Sequence, residues 1–374
     1  MSKIIIRSLL LTILFSILQS TSSLADIYPV LNNGQKWRIG YYEGGAYSDY
    51  TETMRTMVDG LIKLGWIKEQ NPPQLSGNIS KPYLHWLMQA ESPYLSFNPD
   101  DWYSAYWDEP RRKRIHKELL IKLQNNALDL VIAMGTWSGI DLANTNHKVP
   151  VLVLSTSDPI SAGIIKSIDN SGFDHVTARV DPTRYLRQIK MFHRIVGFKT
   201  LGVAYENTPD GRIYSAIKEV KQVGRERKFN VILCELIDTT TNLKQSENSC
   251  LECYRQLSQE ADAVYVTALT CVDRQPAKIA NVFKTAGKPS FSMIGSKFVE
   301  KGLMLSISND SGYIALGEYN ALKFDKILRG VKPIALNQVF EDPLNITINM
   351  ETVRKIGFTM PISILKIASK VYQK

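Results

Sequence analysis

The side chains able to do chemistry in this 374-residue chain are four cysteines, five histidines and three short runs of small polar residues. Cys234, Cys250, Cys253 and Cys271 fall within forty residues of one another. An even number in so short a stretch reads first as disulfides in an oxidising compartment. Cys250-x-x-Cys253 also has the spacing of a redox motif or half a zinc site, but no His or further Cys pair stands at zinc spacing. Tyr254 occupies the place where haem attachment needs His. The histidines (His85, His116, His147, His175, His193) show neither metal-ligand spacing nor a neighbouring cysteine nucleophile. Gly135-x-x-Ser138-Gly139 misses the nucleophile-elbow spacing by one position, and no phosphate-binding or dinucleotide-binding glycine loop is present. Ser215-x-x-Lys218 lies inside a predicted helix, where Lys218 reads as a surface charge. These residues predict no enzyme, no cofactor and no metal.

The polar runs are different. Tyr42-Glu43-Gly44-Gly45-Ala46-Tyr47-Ser48, Gly135-Thr136-Trp137-Ser138-Gly139 and Ser155-Thr156-Ser157-Asp158-Pro159 each follow an apolar run and each lead into a predicted helix. Strand ends of this kind are where doubly wound sheets bind ligands. The opening at Thr136, Trp137 and Ser138 suits a ligand carboxylate, because helix N-termini present free N–H groups and a positive dipole end. The alternative is plain helix capping, with Asp158 capping a helix that starts at Pro159.

Elements that would position these runs alternate along the chain. Strands are expected at Arg38–Tyr42, Asp129–Met134, Val149–Ser155, Leu201–Tyr205, Val231–Leu236 and Ala263–Thr267. Helices are expected at Tyr50–Leu64, Arg112–Lys122, Ser138–Asn144, Pro182–Val196, Ile213–Arg227, Cys250–Gln259 and Ala277–Ala286. Unbroken apolar strands separated by amphipathic helices call for parallel sheets covered on both faces, an α/β class of doubly wound architecture. Residues 68–110 break the rhythm: they are rich in Pro, Asn and aromatics and read as an insertion at a lobe edge. Their aromatics form a satellite core, roof a cleft or meet a partner.

Lys3 and Arg7, an apolar run from Ser8 to Leu18, and Ser23-Leu24-Ala25 make an export signal cut before Asp26. No Cys lies near the cut, so the mature chain is expected free in the periplasm. Removing residues 1–25 takes away two basic residues and no acid, lowering the net charge from +9 to +7. The basic residues are dispersed; the one dense cluster, Arg111-Arg112-Lys113-Arg114, heads an amphipathic helix and reads as a solvated face, so no nucleic-acid partner is expected. About 350 remaining residues exceed what one core organises, and two lobes follow.

From Val149 onward the chain resembles the ABC transporter substrate-binding proteins of the tryptophan/aromatic-amino-acid type, which have the type I periplasmic-binding fold. The resemblance rests on Val149-Pro150-Val151-Leu152-Val153-Leu154-Ser155-Thr156-Ser157-Asp158-Pro159 through Ser167, on Lys199-Thr200-Leu201-Gly202-Val203-Ala204-Tyr205-Glu206-Asn207, and on Asp262-Ala263-Val264-Tyr265-Val266-Thr267. Glu300-Lys301-Gly302, Tyr313 to Gly330 and Ile348-Asn349 to Gly357 follow in the family's order. The resemblance implies two lobes joined by crossing strands. The N-terminal lobe would take 36–178 and about 295–330, with the insertion at 68–110. The C-terminal lobe would take 179–294 and about 331–374. It further implies a pocket from Tyr42, Glu43, Thr136, Trp137, Ser138, Ser157, Asp158, Glu206, Asn207, Thr267, Thr270, Asn309 and Asp310. Departures at Thr136-Trp137-Ser138-Gly139 and Leu269-Thr270-Cys271 set this chain apart from many relatives.

The expected function is capture of a small solute by a monomer for an inner-membrane ABC permease and its ATPase. The alternative is a periplasmic sensor that docks on a membrane signalling protein. With a carboxylate at Thr136 and an ammonium at Asp158 or Glu206, between walls of Trp137 and Tyr42, the ligand would be an amino acid or a close relative. At least one disulfide is expected, in the C-terminal lobe and clear of the ligand.

Overall fold

A computed structural model of the protein describes residues 28–69, 80–307 and 310–373. The expected export signal, Asn309 and part of the aromatic segment lie outside these residues. The first sheet contains β1 (Trp37–Glu43), β2 (Leu95–Ser104), β3 (Leu130–Met134), β4 (Val151–Leu154) and β5 (Val176–Ala178), in the order β2-β1-β3-β4-β5. All its pairings are parallel. The second contains β6 (Thr200–Glu206), β7 (Asn230–Leu236), β8 (Ala263–Val266), β9 (Ser290–Ser292), β10 (Leu305–Ser306), β11 (Ile346–Asn349) and β12 (Ala368–Tyr372), ordered β12-β11-β10-β9-β8-β6-β7. Only β10 and β11 pair antiparallel among them.

Helices α1 (Ser48–Lys63), α2 (Ser80–Gln89), α3 (Glu109–Gln124) and α4 (Thr136–Leu142) accompany the first sheet. The second carries α5 (Arg184–Val196), α6 (Pro209–Tyr214), α7 (Ile217–Arg227), α8 (Leu243–Glu260), α9 (Thr270–Arg274), α10 (Pro276–Ala286) and α11 (Ser296–Glu300). Helix α12 (Asp310–Leu328) returns to the first sheet and lies along α1, while α13 (Met350–Lys355) and α14 (Ile362–Ile367) finish the second. The chain therefore changes lobe after β5, after β10 and before β11, and Val180 bridges Val339 where two of these crossings run side by side.

Patterning explains the layers. Every residue of β3 and β4 is buried, as a parallel strand covered on both faces requires. Helix α5 buries Tyr185, Gln188, Ile189, Phe192 and Ile195, a single stripe at helical spacing that faces the second sheet.

Three expectations change. The helix expected over Ile213–Arg227 is broken, because Ala216 takes a left-handed backbone (φ 51°) between α6 and α7. The start of α6 is fixed independently: Pro209 opens it and Thr208 Oγ1 accepts from Gly211 N at 2.9 Å. No helix follows Pro159; the chain makes a single turn there. The aromatic segment is not a bare insertion, since it supplies α2 and the edge strand β2. Trp102 of β2 stacks on Tyr41 with ring centroids 4.7 Å apart, and Tyr83, Trp86, Tyr94 and Phe97 join the same core. An edge position tolerates Pro99, and the β1–β2 register slips around it.

Candidate functional site

The carboxyl ends of both sheets face each other, and two adjoining cavities lie between them. The first, of about 50 Å³, is walled by Tyr50, Trp107, Thr136 and Trp137 from the first lobe and by Tyr214, Asp238, Thr239 and Thr270 from the second. The second, of about 40 Å³, is lined by Tyr47, Asp49 and Thr156 from the first lobe and by Arg184, Tyr185 and Met293 from the second. Tyr47, Ser155, Ser157 and Ala268 border both. Such volumes hold only a few waters, so anything larger fits only when the lobes part or a wall residue swings.

Local sequence builds the aromatic end. Gly135 has φ 89°, and a Cβ there would stand 1.9 Å from the Tyr50 hydroxyl, so glycine is what lets Tyr50 lie over the end of β3. Gly45 does the same for Trp107: an added Cβ would meet its indole at 2.6 Å. Trp107 also donates from Nε1 to Ala46 O at 3.3 Å and meets Trp137 edge-on at 5.5 Å. Behind Trp137, the Arg112 guanidinium sits 4.7 Å over the ring and pairs with Asp141 at 2.8 Å.

On the opposite wall, Asp238 accepts from Thr270 N, Thr270 Oγ1 and Cys271 N at 2.9, 2.9 and 2.8 Å. Its burial is nearly complete and lifts the carboxyl to about 6 even so. Among the described residues, side chains join the lobes across the cleft at three places. Ser48 donates from both N and Oγ to Asp273, Tyr185 OH donates to Ser157 O at 3.3 Å, and Arg112 lies 3.9 Å from Asp210.

Of the residues expected in the pocket, Thr136, Trp137, Ser157 and Thr270 line the first cavity. The others are engaged elsewhere. Tyr42 is fully buried, donates to Asp141 at 2.7 Å and lines neither of these two cavities. Glu43 is buried against the Tyr41 hydroxyl, which donates to it at 2.6 Å; burial raises its carboxyl to about 7. Ser138 bonds back to Met134 O at 2.8 Å, and Thr267 donates to Ala204 O at 2.8 Å, both completely buried. Asp158 accepts from Ile160 N and Ser161 N at 3.0 Å each, holding its turn. Glu206 accepts from Asp238 N, Thr239 N, Thr239 Oγ1 and Tyr214 OH, so its oxygens serve its own lobe. Asn207 is exposed and accepts from Arg212. Asp310 opens α12, and Asn309 lies outside the described residues.

Both pairs of cysteines are bonded, Cys234 to Cys253 and Cys250 to Cys271, within the second lobe. The second bond is not remote from the cleft, because Cys271 directly follows Thr270.

Sequence reading missed Tyr50, Tyr214, Asp238, Arg184 and Arg112 as parts of this site, while Tyr47 stood in the first polar run and Trp107 in the aromatic segment without being named as pocket residues. Arg112 carried a signal: it precedes Ile115 by three positions and so shares the buried stripe of α3 rather than its solvated face. Trp107 belongs to the aromatic segment that offered a roof over a cleft, and what the sequence did not show is its route there, through consecutive left-handed residues, Tyr106 (φ 51°) and Trp107 (φ 59°).

A family model described as "ABC transporter substrate binding protein" matches residues 112–372. No curated protein gives a match. Among solved structures, an ABC domain in complex with L-Trp from Streptococcus pneumonia superposes with a TM-score of 0.70 at 19% identity, covering 90% of this chain and 100% of its own. A conserved domain protein from Vibrio cholerae O1 biovar El Tor also gives 0.70, at 17% identity and the same coverage. A ligand-free, open substrate binding protein with adhesive properties from Clostridium difficile gives 0.56 at 20% identity, again covering 90% and 100%. At these identities the likeness is one of fold.

Proposed function

The chain belongs to the family of ABC transporter substrate-binding proteins, and on that premise we propose that it captures a small solute, an amino acid or a close relative, in the cleft between its lobes. The observation that carries this reading is the pair of adjoining cavities, lined from both lobes at the carboxyl edges of both sheets. Thr136, Trp137, Ser157 and Thr270 are the earlier pocket candidates that this reading retains. The solute passes to an inner-membrane permease with its ATPase, the mature protein is a periplasmic monomer released by cleavage before Asp26, and it performs no catalysis. Export is supported by the disulfides, which belong to oxidising compartments.

An aromatic end and a polar end together suit a solute with an apolar body and a charged head. The test is mass spectrometry of small molecules released from protein purified through its export route. Recovery of one metabolite, chemically unchanged after prolonged incubation with the protein, supports capture. Conversion of that metabolite, or protein that never binds a solute, contradicts it.

A further inference from the structure

Neither disulfide uses the Cys250-x-x-Cys253 spacing, since each takes one of these cysteines to a different partner. The four sulfurs are unequally placed. Cys234 is half-buried in β7, the outermost strand of the second sheet, while Cys250, Cys253 and Cys271 are buried in one core with Leu257, Val266 and Phe283. Thiol–disulfide exchange needs direct attack on a sulfur, so access decides which bond a reductant breaks first. From water, a reductant reaches the Cys234–Cys253 bond at Cys234 and is kept from the Cys250–Cys271 bond by the core around it.

Cys250 and Cys253 stand three residues apart on the buried face of α8. Helical geometry puts Cα atoms at that spacing about 5 Å apart, within the span of a disulfide. A thiolate released at Cys253 is therefore beside the Cys250 sulfur of the inner bond, at a depth no external reductant has to reach. The inner bond borders the solute cleft. Cys271 directly follows Thr270, which lines the first cavity, and Asp273 two residues on receives Ser48 from the other lobe. Without Cys271 tied to α8, the five-residue α9 keeps only the Asp238 and Ser48 contacts among those that fix it.

We propose that the four cysteines form a redox relay through which an external dithiol loosens the wall of the cleft at Thr270. One thiolate of the dithiol attacks Cys234 Sγ, and the electron pair of the broken Cys234–Cys253 bond stays on Cys253. The second thiolate of the dithiol attacks its own sulfur in the mixed disulfide, which closes the oxidised dithiol and expels the Cys234 thiolate. The Cys253 thiolate then attacks Cys250 Sγ, and the electron pair of the broken Cys250–Cys271 bond stays on Cys271. The two protons of the dithiol end on Cys234 and Cys271, and the protein exchanges two disulfides for one, Cys250–Cys253. The effect on a solute rests on the capture reading; the exchange does not.

The experiment treats the exported protein with dithiothreitol under native conditions, quenches with iodoacetamide and maps the cysteines by peptide mass spectrometry. The expected product has Cys234 and Cys271 alkylated and Cys250 bonded to Cys253. In that product, peptides covering residues 268–275 are expected to exchange amide hydrogens about tenfold faster than in untreated protein. In Cys234→Ser/Cys253→Ser, shown to fold by circular dichroism, the Cys250–Cys271 bond is expected to survive the dithiothreitol that converts the parent; if this variant does not fold, the map of the parent decides. Alkylation of Cys234 and Cys253 beside an intact Cys250–Cys271 bond overturns the relay. So does a parent in which neither bond reacts, a parent in which no Cys250–Cys253 bond forms, or a variant whose inner bond is reduced as fast as the parent's. Unchanged exchange over 268–275 separates the relay from the cleft and overturns the proposal as well. Solute capture stands or falls separately, on co-purification.

Discussion

Carboxylates in this protein are committed to named partners, some local and some distant, and Asp158 is a local case. Asp158 holds a turn through two backbone N–H groups, and an Asn in its place would accept the same bonds. Asp158→Asn is therefore expected to change stability by less than about 0.5 kcal/mol and to leave solute affinity unchanged, as melting and calorimetry would show. A tenfold loss of affinity would return Asp158 to the binding site. Lys323 poses the opposite case. Its ammonium is buried, its hydrogen-bond partners among the described residues are Ala178 O and the Tyr319 hydroxyl, and burial depresses it from 10.5 to about 7. Between those values the unfolded chain holds a proton that the native chain lacks, so stability falls as pH drops from 10.5 to 7 and then levels. Lys323→Met is expected to raise stability by a few kcal/mol, on the order of what such a shift implies, at pH 7 and below. The advantage shrinks as pH rises toward 10.5, and denaturant titrations at several pH values would reveal it. Of the cavity-lining residues, Thr136, Trp137 and Ser157 were legible because they sit in polar runs at strand ends, whereas Thr270 came only from the family resemblance. Tyr214 and Arg184 leave no local mark, since they reach the cleft only through the packing of α6 and α5.

Helix α9 is five residues long and is fixed from three sides. Asp238 binds its first two N–H groups, Cys250–Cys271 ties it to α8, and Asp273 receives Ser48 from the other lobe. The paired Cys250→Ser/Cys271→Ser variant is expected to lose about 3 kcal/mol of stability, the scale for a loop of this length, and to bind solute more weakly as Thr270 loosens. Alkylation of unreduced protein should label no cysteine, and labelling of all four in periplasmic material would contradict the bonded pairs. That the cysteines pair was legible from their number and clustering. Which pairs form was not, because pairing depends on how α8 lies across β7 and α9. The strand–helix alternation was equally legible, since buried parallel strands such as β3 and β4 are continuously apolar. Strand β2 escaped because Asn98-Pro99-Asp100-Asp101 sits within it, a composition that only an edge strand with an irregular register accepts.

Two lobes were expected from length alone, but their relative closure is set by contacts that no local pattern reveals. Ser48 and Asp273 lie 225 positions apart and bond across the cleft. Replacing Asp273 by Asn weakens a charge-assisted pair, so Asp273→Asn is expected to shift the balance toward the open form by about tenfold. Scattering from the unliganded variant would show a larger radius of gyration than the parent, and an unchanged profile would remove Asp273 from the latch. The central claim, that a solute is held between the lobes, is tested most directly by calorimetry with the solute recovered from the exported protein, using the parent and Trp107→Ala. Trp107 walls the cleft and is only half-buried, and circular dichroism and melting of Trp107→Ala establish that it folds before binding is compared. The account predicts one site per chain in the parent and affinity at least about tenfold weaker in Trp107→Ala, the loss of a walling aromatic. Equal affinity in both proteins would place the solute outside this cleft and contradict the account.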